Sequence, residues 1–172
     1  IAGEFTMSIG WYAGLAEYPL LKQNEEKADY TVELWPSLEA SATLFQVNRT
    51  YDDPVLGPIF ADKRFSHALS LALDRDEMNE VVFQGLGTPS QMTLIPSAIY
   101  YEPSFSEAYV QYDKDGANKI LDDLGLKWDA AKEWRLRSDG KRFSLIMDTG
   151  NDVLPIHELA VEMWKDVGIE VS

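Results

Sequence analysis

The chain contains no cysteine. That excludes a disulfide scaffold, a thiolate nucleophile and cysteine-ligated zinc. Basic residues are in short supply: 15 Lys and Arg stand against 29 Asp and Glu, for a net charge of −14. So acidic a chain lacks the basic footprint that nucleic-acid phosphates require. The same charge disfavours an anionic membrane surface. No apolar run approaches the ~20 residues of a membrane-spanning helix. No signal peptide opens the sequence, but both ends read as cut. IAGEFTM is apolar and alternating with no initiator Met, and GIEVS reads as the start of a strand. The expectation is a piece excised from a longer protein, whose leader would lie outside it.

What is present suits a folded domain. The 172 residues are 45% hydrophobic, enough for a real core and too much for a disordered tail. We read residues 1–172 as a single domain. Residues 3–9 read as a strand, and Tyr18–Lys27 as a helix with Pro19 in its first turn. Thr31–Pro36 and Ala42–Asn48 alternate as strands do. Val32 and Leu34 fall on one face of the first; Thr43, Phe45 and Val47 fall opposite Leu44, Gln46 and Asn48 in the second.

Phe65, Ala68, Leu69 and Ala72 then recur at i, i+3, i+4, i+7, the spacing of one helical face. Asp62 is placed to cap that helix. Met78, Val81 and Val82 continue apolar spacing in a second helix, with Gly85 as its left-handed stop. Residues 88–106 form a long loop whose Ile95, Ile99, Tyr100, Tyr101 and Phe105 call for burial. Asp113 caps a helix striped with Ala117, Ile120, Leu121 and Leu124 and closed by Gly125. WRLR, SDGK and RFSLIMD read as a hairpin turning at Asp139-Gly140. Leu154–Val167 is a last amphipathic helix, closed by Gly168, before a strand begins at IEV. Helices and strands intermix, and the hairpin brings antiparallel pairing. The fold class is α/β, a mixed sheet flanked by helices.

The motifs that carry chemistry fail one by one. HELAV (His157–Val161) has the first half of a zinc-protease motif, but Val161 stands where the second histidine must face the metal. His157 reads as an ordinary helix-surface residue. Asp113-Lys114-Asp115-Gly116 hints at a calcium loop, yet its twelfth position is Leu124 instead of a bidentate Glu. GLGTPS (Gly85–Ser90) follows a helix and lacks the third glycine of a dinucleotide fingerprint. Acidic pairs (Asp52-Asp53, Asp122-Asp123, Asp74 with Asp76) arise by chance in so acidic a chain and usually face solvent; a glycosidase needs two carboxylates held across a cleft, which adjacency in sequence does not establish. Arg75, between Asp74 and Asp76 at a helix-to-helix corner, reads as structural: a guanidinium there can pair with a carboxylate and bond helix-end carbonyls. Trp164 falls on an apolar helical face and reads as core. Trp35, Tyr100 and Tyr101 lie in or beside loops, where aromatics either line a ligand or pack locally.

The stretch Phe60–Gly87, FADKRFSHALSLALDRDEMNEVVFQGLG, resembles a signature segment of the extracellular solute-binding proteins of ABC transporters that capture peptides, nickel or oligosaccharides. IAGEFTM resembles that family's "aGE-x-D" strand, with Thr6 for the usual Asp. LFQVN resembles its "l-x-f-N" strand, with Asn48 as the Asn. In the signature segment Ser66 replaces one Arg. GTPSQMTLIPSAIYY, YDKDGANKILDDLG and the final helix into GIEV follow in the family's order, so the resemblance covers nearly the whole chain.

The resemblance implies one lobe, most of the second, of a type II periplasmic-binding-protein-like clamshell. It implies a cofactor-free receptor, extracytoplasmic (periplasmic or a cell-surface lipoprotein), which is not an enzyme. Its partners would be a peptide, oligosaccharide or other small ligand, a membrane ABC permease and the missing first lobe. Important ligand contacts would come from beyond GIEV, including an acidic or aromatic residue near a peptide amine. In α/β sheets ligands lie outside the carboxyl ends of strands. That points to Trp11, Tyr12, Asn48, Thr149 and Asn151 as ligand-binding candidates, although Asn48 could equally satisfy backbone groups at its strand end. Two rival functions remain: a ligand-sensing domain of a transcription regulator, and a carboxylate-based hydrolase domain.

Overall fold

The computed structural model describes residues 7–8, 15–35, 41–149 and 154–172. The chain divides into two compact units, Ile1–Leu38 and Glu39–Ser172. In the first, a 3₁₀ turn at Leu15–Glu17 leads into α1 (Tyr18–Gln23) and α2 (Glu25–Ala28). The single helix expected over Tyr18–Lys27 is broken at Asn24. Its side-chain amide donates to the Leu20 carbonyl at 2.8 Å, and its backbone N–H to that of Leu21 at 3.1 Å. This is the competition with the helix ladder that asparagine offers. Residues 31–35 form no β-ladder, and Leu34 is 52% exposed, so the strand expected there is not formed. Of the strand expected over 3–9, only Met7 and Ser8 are described, and neither is in a ladder.

The second unit holds the core. Residues 43–48 are extended and alternate in burial as their pattern predicts, with Thr43, Phe45 and Val47 half-buried and Leu44, Gln46 and Asn48 exposed. They pair with no strand. Side chains hold the segment instead, and Phe45 meets the Trp164 ring edge-on at 5.1 Å. Helices α3 (Leu56–Ala61), α4 (Lys63–Leu71) and α5 (Arg75–Phe83) follow. The predicted α4 stripe is buried at every position: Phe65, Ala68, Leu69 and Ala72. Burying a side chain such as Phe65 or Leu69 contributes about 1.5–3 kcal/mol. Phe65 stacks on Phe60 at 5.6 Å and meets Phe143 edge-on at 5.6 Å. In α5 Met78 is buried but Val81 is 60% exposed, so the apolar spacing overstated that helix's inner face. Gln84 (φ 56) and Gly85 (φ 72) both adopt the left-handed conformation that stops α5.

Asp62 caps α4, accepting from the Arg64 N–H at 2.9 Å and from the Arg64 guanidinium at 2.7 Å. Chiefly because of Arg64, its carboxyl is lowered from 3.8 to about 2. A carboxylate depressed on folding contributes stability that is complete above its unfolded value and disappears as pH falls through the folded one. The expected outcome is a component of acid destabilisation between about pH 4 and 2 that Asp62→Asn removes. Identical urea midpoints against pH for the two proteins over that window would refute it.

Short α6 (Pro103–Glu107) sits inside the long loop, followed by α7 (Lys114–Asp123). The loop buries less than its composition suggests. Ile95 and Tyr101 are half-buried, but Ile99, Tyr100 and Phe105 are 89%, 81% and 64% exposed. Consecutive turns at 95–101 (Ala98 N–H to Ile95 O, Tyr101 N–H to Ala98 O) swing Ile99 and Tyr100 outward. Asp113 caps α7 through the Gly116 N–H at 2.8 Å, Ala117 and Leu121 are fully buried, and Gly125 (φ 84) closes the turn.

The β-structure is mixed, in two-stranded pieces. β1 (Lys127–Trp128) runs antiparallel to β2 (Arg135–Leu136), and β3 (Ser144–Leu145) runs parallel to β4 (Glu170–Val171). The hairpin at Asp139-Gly140 is present in its hydrogen bonds, Arg137 N–H to Lys141 O and Phe143 N–H to Arg135 O, both 2.7 Å. β1 is the unexpected partner. Helix α8 (Pro155–Lys165) connects β3 to β4 as a parallel crossover. Its Ile156, Ala160 and Trp164 are buried, and the Trp164 indole donates to the Leu69 carbonyl at 3.0 Å.

Among the described residues the largest fully buried side chain is an arginine, Arg135. Its Nε donates to Val167 O at 2.7 Å and its Nη1 to Asp122 at 2.9 Å and to Leu126 O. Nη2 donates to the Asn118 side chain at 2.7 Å, and the guanidinium lies 4.7 Å above the Trp128 ring. One planar fork thereby joins α7, the turn after it, β1 and the turn after α8. Gly168 (φ 82) passes so close that a Cβ there would lie 2.6 Å from Trp128 Cζ3.

Candidate ligand-binding site

Because β3 and β4 are parallel, their carboxyl ends lie at the same edge. The crossover also brings one face of α8, from His157 to Glu162, to that edge. An open depression of about 530 Å³ lies there, lined by Met147 and Thr149 beyond β3, Ser172 beyond β4, and His157, Glu158, Val161 and Glu162 of α8. This is where the physics of α/β units places ligands: strand ends stop, and helix N–H groups point outward. Met147 and Val161 supply apolar surface, and the remaining lining residues supply donors and acceptors. A shallower depression in the first unit is lined by Glu25, Glu26, Asp29, Tyr30 and Thr31. Its Glu25 is already held by Lys22 at 2.9 Å and by the Val32 N–H, so it offers less to a ligand.

Among the candidates named from sequence, Thr149 lies in the depression beyond β3. Asn48 is not among its lining residues. The Asn48 carboxamide oxygen accepts from both the Thr50 N–H and the Thr50 hydroxyl at 3.1 Å, a local turn closure. Trp11, Tyr12 and Asn151 lie outside the described residues.

Arg75 differs from its expected carboxylate pairing. It donates to Ser70 O at 2.9 Å, to Val110 O at 3.1 Å and to the Ser70 hydroxyl at 2.8 Å. A carbonyl at the end of α4, a loop carbonyl and the Ser70 hydroxyl, not Asp74 or Asp76, are its partners. Asp74 caps that helix through the Glu77 N–H at 3.0 Å, and Asp76 is solvent-exposed. Burial lowers the Arg75 pKa, without a carboxylate to oppose it.

Sequence reasoning missed His157 as a lining residue. It is half-buried, its ring meets Phe45 edge-on at 6.0 Å, and its Nδ1 accepts the Leu154 N–H at 3.1 Å. An imidazole at the third position of a helix can cap it as Glu or Gln does in a capping box. That was the available signal. Among the described residues no group of three His, Cys, Asp or Glu is placed to hold a metal, and no helix is long and apolar enough to cross a membrane.

Comparison with known proteins agrees with this architecture. Residues 8–172 match the model of the bacterial extracellular solute-binding proteins, family 5 Middle. An oligopeptide-binding protein OppA of known structure superposes over 99% of this chain and 28% of its own, with a TM-score of 0.81 and 37% identity. Oligopeptide-binding protein AppA of Bacillus subtilis (strain 168) is 30% identical over 117 residues, 66% of this chain and 21% of AppA. The AppA structure from that organism, solved in complex with a nonapeptide, matches 67% of this chain and 23% of its own with a TM-score of 0.54 and 25% identity. The matches to curated relatives span 19% to 22% of those proteins' lengths. On the family match over nearly all its residues, and on an α/β fold of the type II binding-protein kind, the chain belongs to the bacterial extracellular solute-binding proteins of family 5.

Proposed function

We propose that this chain forms part of the ligand-gripping wall of an extracytoplasmic peptide receptor that delivers its cargo to an ABC permease. The observation that carries the reading is the depression at the carboxyl edge of the β3–α8–β4 crossover, in a chain so similar to an oligopeptide-binding protein. Its lining mixes apolar surface with hydrogen-bonding groups, which suits a peptide's alternating side chains and backbone. The names of the relatives favour peptides over oligosaccharides or metal chelates. The wall works with a second lobe of the same receptor, so that hinged closure buries the ligand. The role is capture without turnover, a reading supported by the binding proteins it resembles.

Native mass spectrometry of the whole receptor, purified without refolding, is the test. Bound masses that fragment as peptides are expected. A bound sugar or metal chelate, or peptide that leaves the protein cleaved, would overturn the reading.

A further inference from the structure

The chemistry of His157 goes beyond lining a depression. Its Nδ1 accepts a hydrogen bond from the backbone N–H of Leu154, which never gives up its proton. Nδ1 must therefore carry a lone pair, and the neutral ring holds its proton on Nε2. The helix itself repeats the link in reverse, for the His157 N–H donates to Leu154 O at 2.9 Å. Phe45 lies against the ring. Tautomer and ring position are thus both set by contacts outside the depression. The Nε2–H is the polar group the imidazole has left, and no acceptor meets it among the described residues. The other titratable groups of the lining, Glu158 and Glu162, are acceptors on the same helix.

We propose that His157 is a ligand-orienting residue whose Nε2–H donates to a carbonyl or carboxylate oxygen of the bound peptide. The role rests on the peptide reading above and specifies which end of the hydrogen bond the protein supplies at this edge. A fixed donor discriminates: a ligand bringing an N–H to the same place would leave two donors facing each other, and unpaired polar groups weaken binding strongly.

The capping role and the binding role separate by substitution. Glu at 157 can still accept the Leu154 N–H in the capping-box manner but carries no N–H to donate. The experiment uses the whole receptor and a randomised nonapeptide library, followed by calorimetry and by ¹⁵N resonances of the histidine ring. In the unsubstituted receptor the His157 signals should report the Nε2–H tautomer and shift on adding the library. His157→Glu should bind at least about tenfold more weakly with an unchanged melting temperature, whereas His157→Phe should lose both affinity and thermal stability. A His157→Glu receptor that binds like the parent, or a ring protonated on Nδ1, overturns the role while leaving peptide binding intact. Failure of the unsubstituted receptor to bind any member overturns the peptide reading itself, and this role with it.

Discussion

Replacing Arg135 by alanine is expected to destabilise the second unit by about 4 kcal/mol, the range in which removing one member of a buried charged network falls. The side chain is fully buried, and its loss strands the Val167, Leu126 and Asn118 groups it bonds. Each buried acceptor left unpaired costs about 1–3 kcal/mol. The vacated volume above Trp128 adds a cavity. Asp122 suffers least, since its side chain is 44% exposed and water can replace the guanidinium. For this reason the backbone carbonyls, rather than the ion pair, dominate the loss. Arg135→Lys separates the two contributions: it retains the charge but cannot form the fork. Urea unfolding followed by tryptophan fluorescence should give alanine a far lower midpoint, with lysine recovering less than half of the difference. A lysine variant as stable as the parent would show that the charge alone is what matters there.

The second large effect is at Gly168. Two factors oppose any side chain: a left-handed φ of 82°, and atoms of Trp128 and Arg135 within 2.6–2.9 Å of the Cβ position. The backbone factor alone costs about 1 kcal/mol, and overpacking adds about 1–3 kcal/mol. Gly168→Ala should therefore lose about 3 kcal/mol. Gly125 provides the control, because its φ is 84° but a Cβ there meets nothing within 4 Å. Gly125→Ala should lose only the backbone portion, about 1 kcal/mol. Equal losses at the two glycines would mean that the Trp128–Arg135 stack yields freely, contrary to the packing described.

The α4 stripe and the Asp62 and Asp113 caps were legible in the sequence. A 3.6-residue period and a short acidic side chain ahead of it are local signals, and local contacts fulfil them. The alternation of residues 43–48 was legible as burial but not as pairing, since a period of two records which side chains turn inward and says nothing of a neighbouring strand. β1 is two residues long, too short for any period to appear. Arg135 was invisible for a different reason. Its partners are mostly backbone oxygens up to 32 residues away, and a carbonyl has the same identity in every residue type. The rule of strand ends named Thr149, which lines the depression beyond β3. His157 was passed over because its motif was tested only against zinc, and its actual partner is an N–H of its own helix.

Helix α8 carries the site at one end and the Trp164 anchor at the other, two turns apart on a single rod. The indole is tied to Leu69 of α4, so the far end cannot rotate without tearing a packed contact. A ligand meeting His157 therefore finds a surface already set by the hydrophobic interior, and little ordering entropy is left to spend on that wall. In hydrogen–deuterium exchange, the amides of Ala160 to Trp164 should open only when the whole unit unfolds. Peptide capture should slow their exchange by the full increase in global stability.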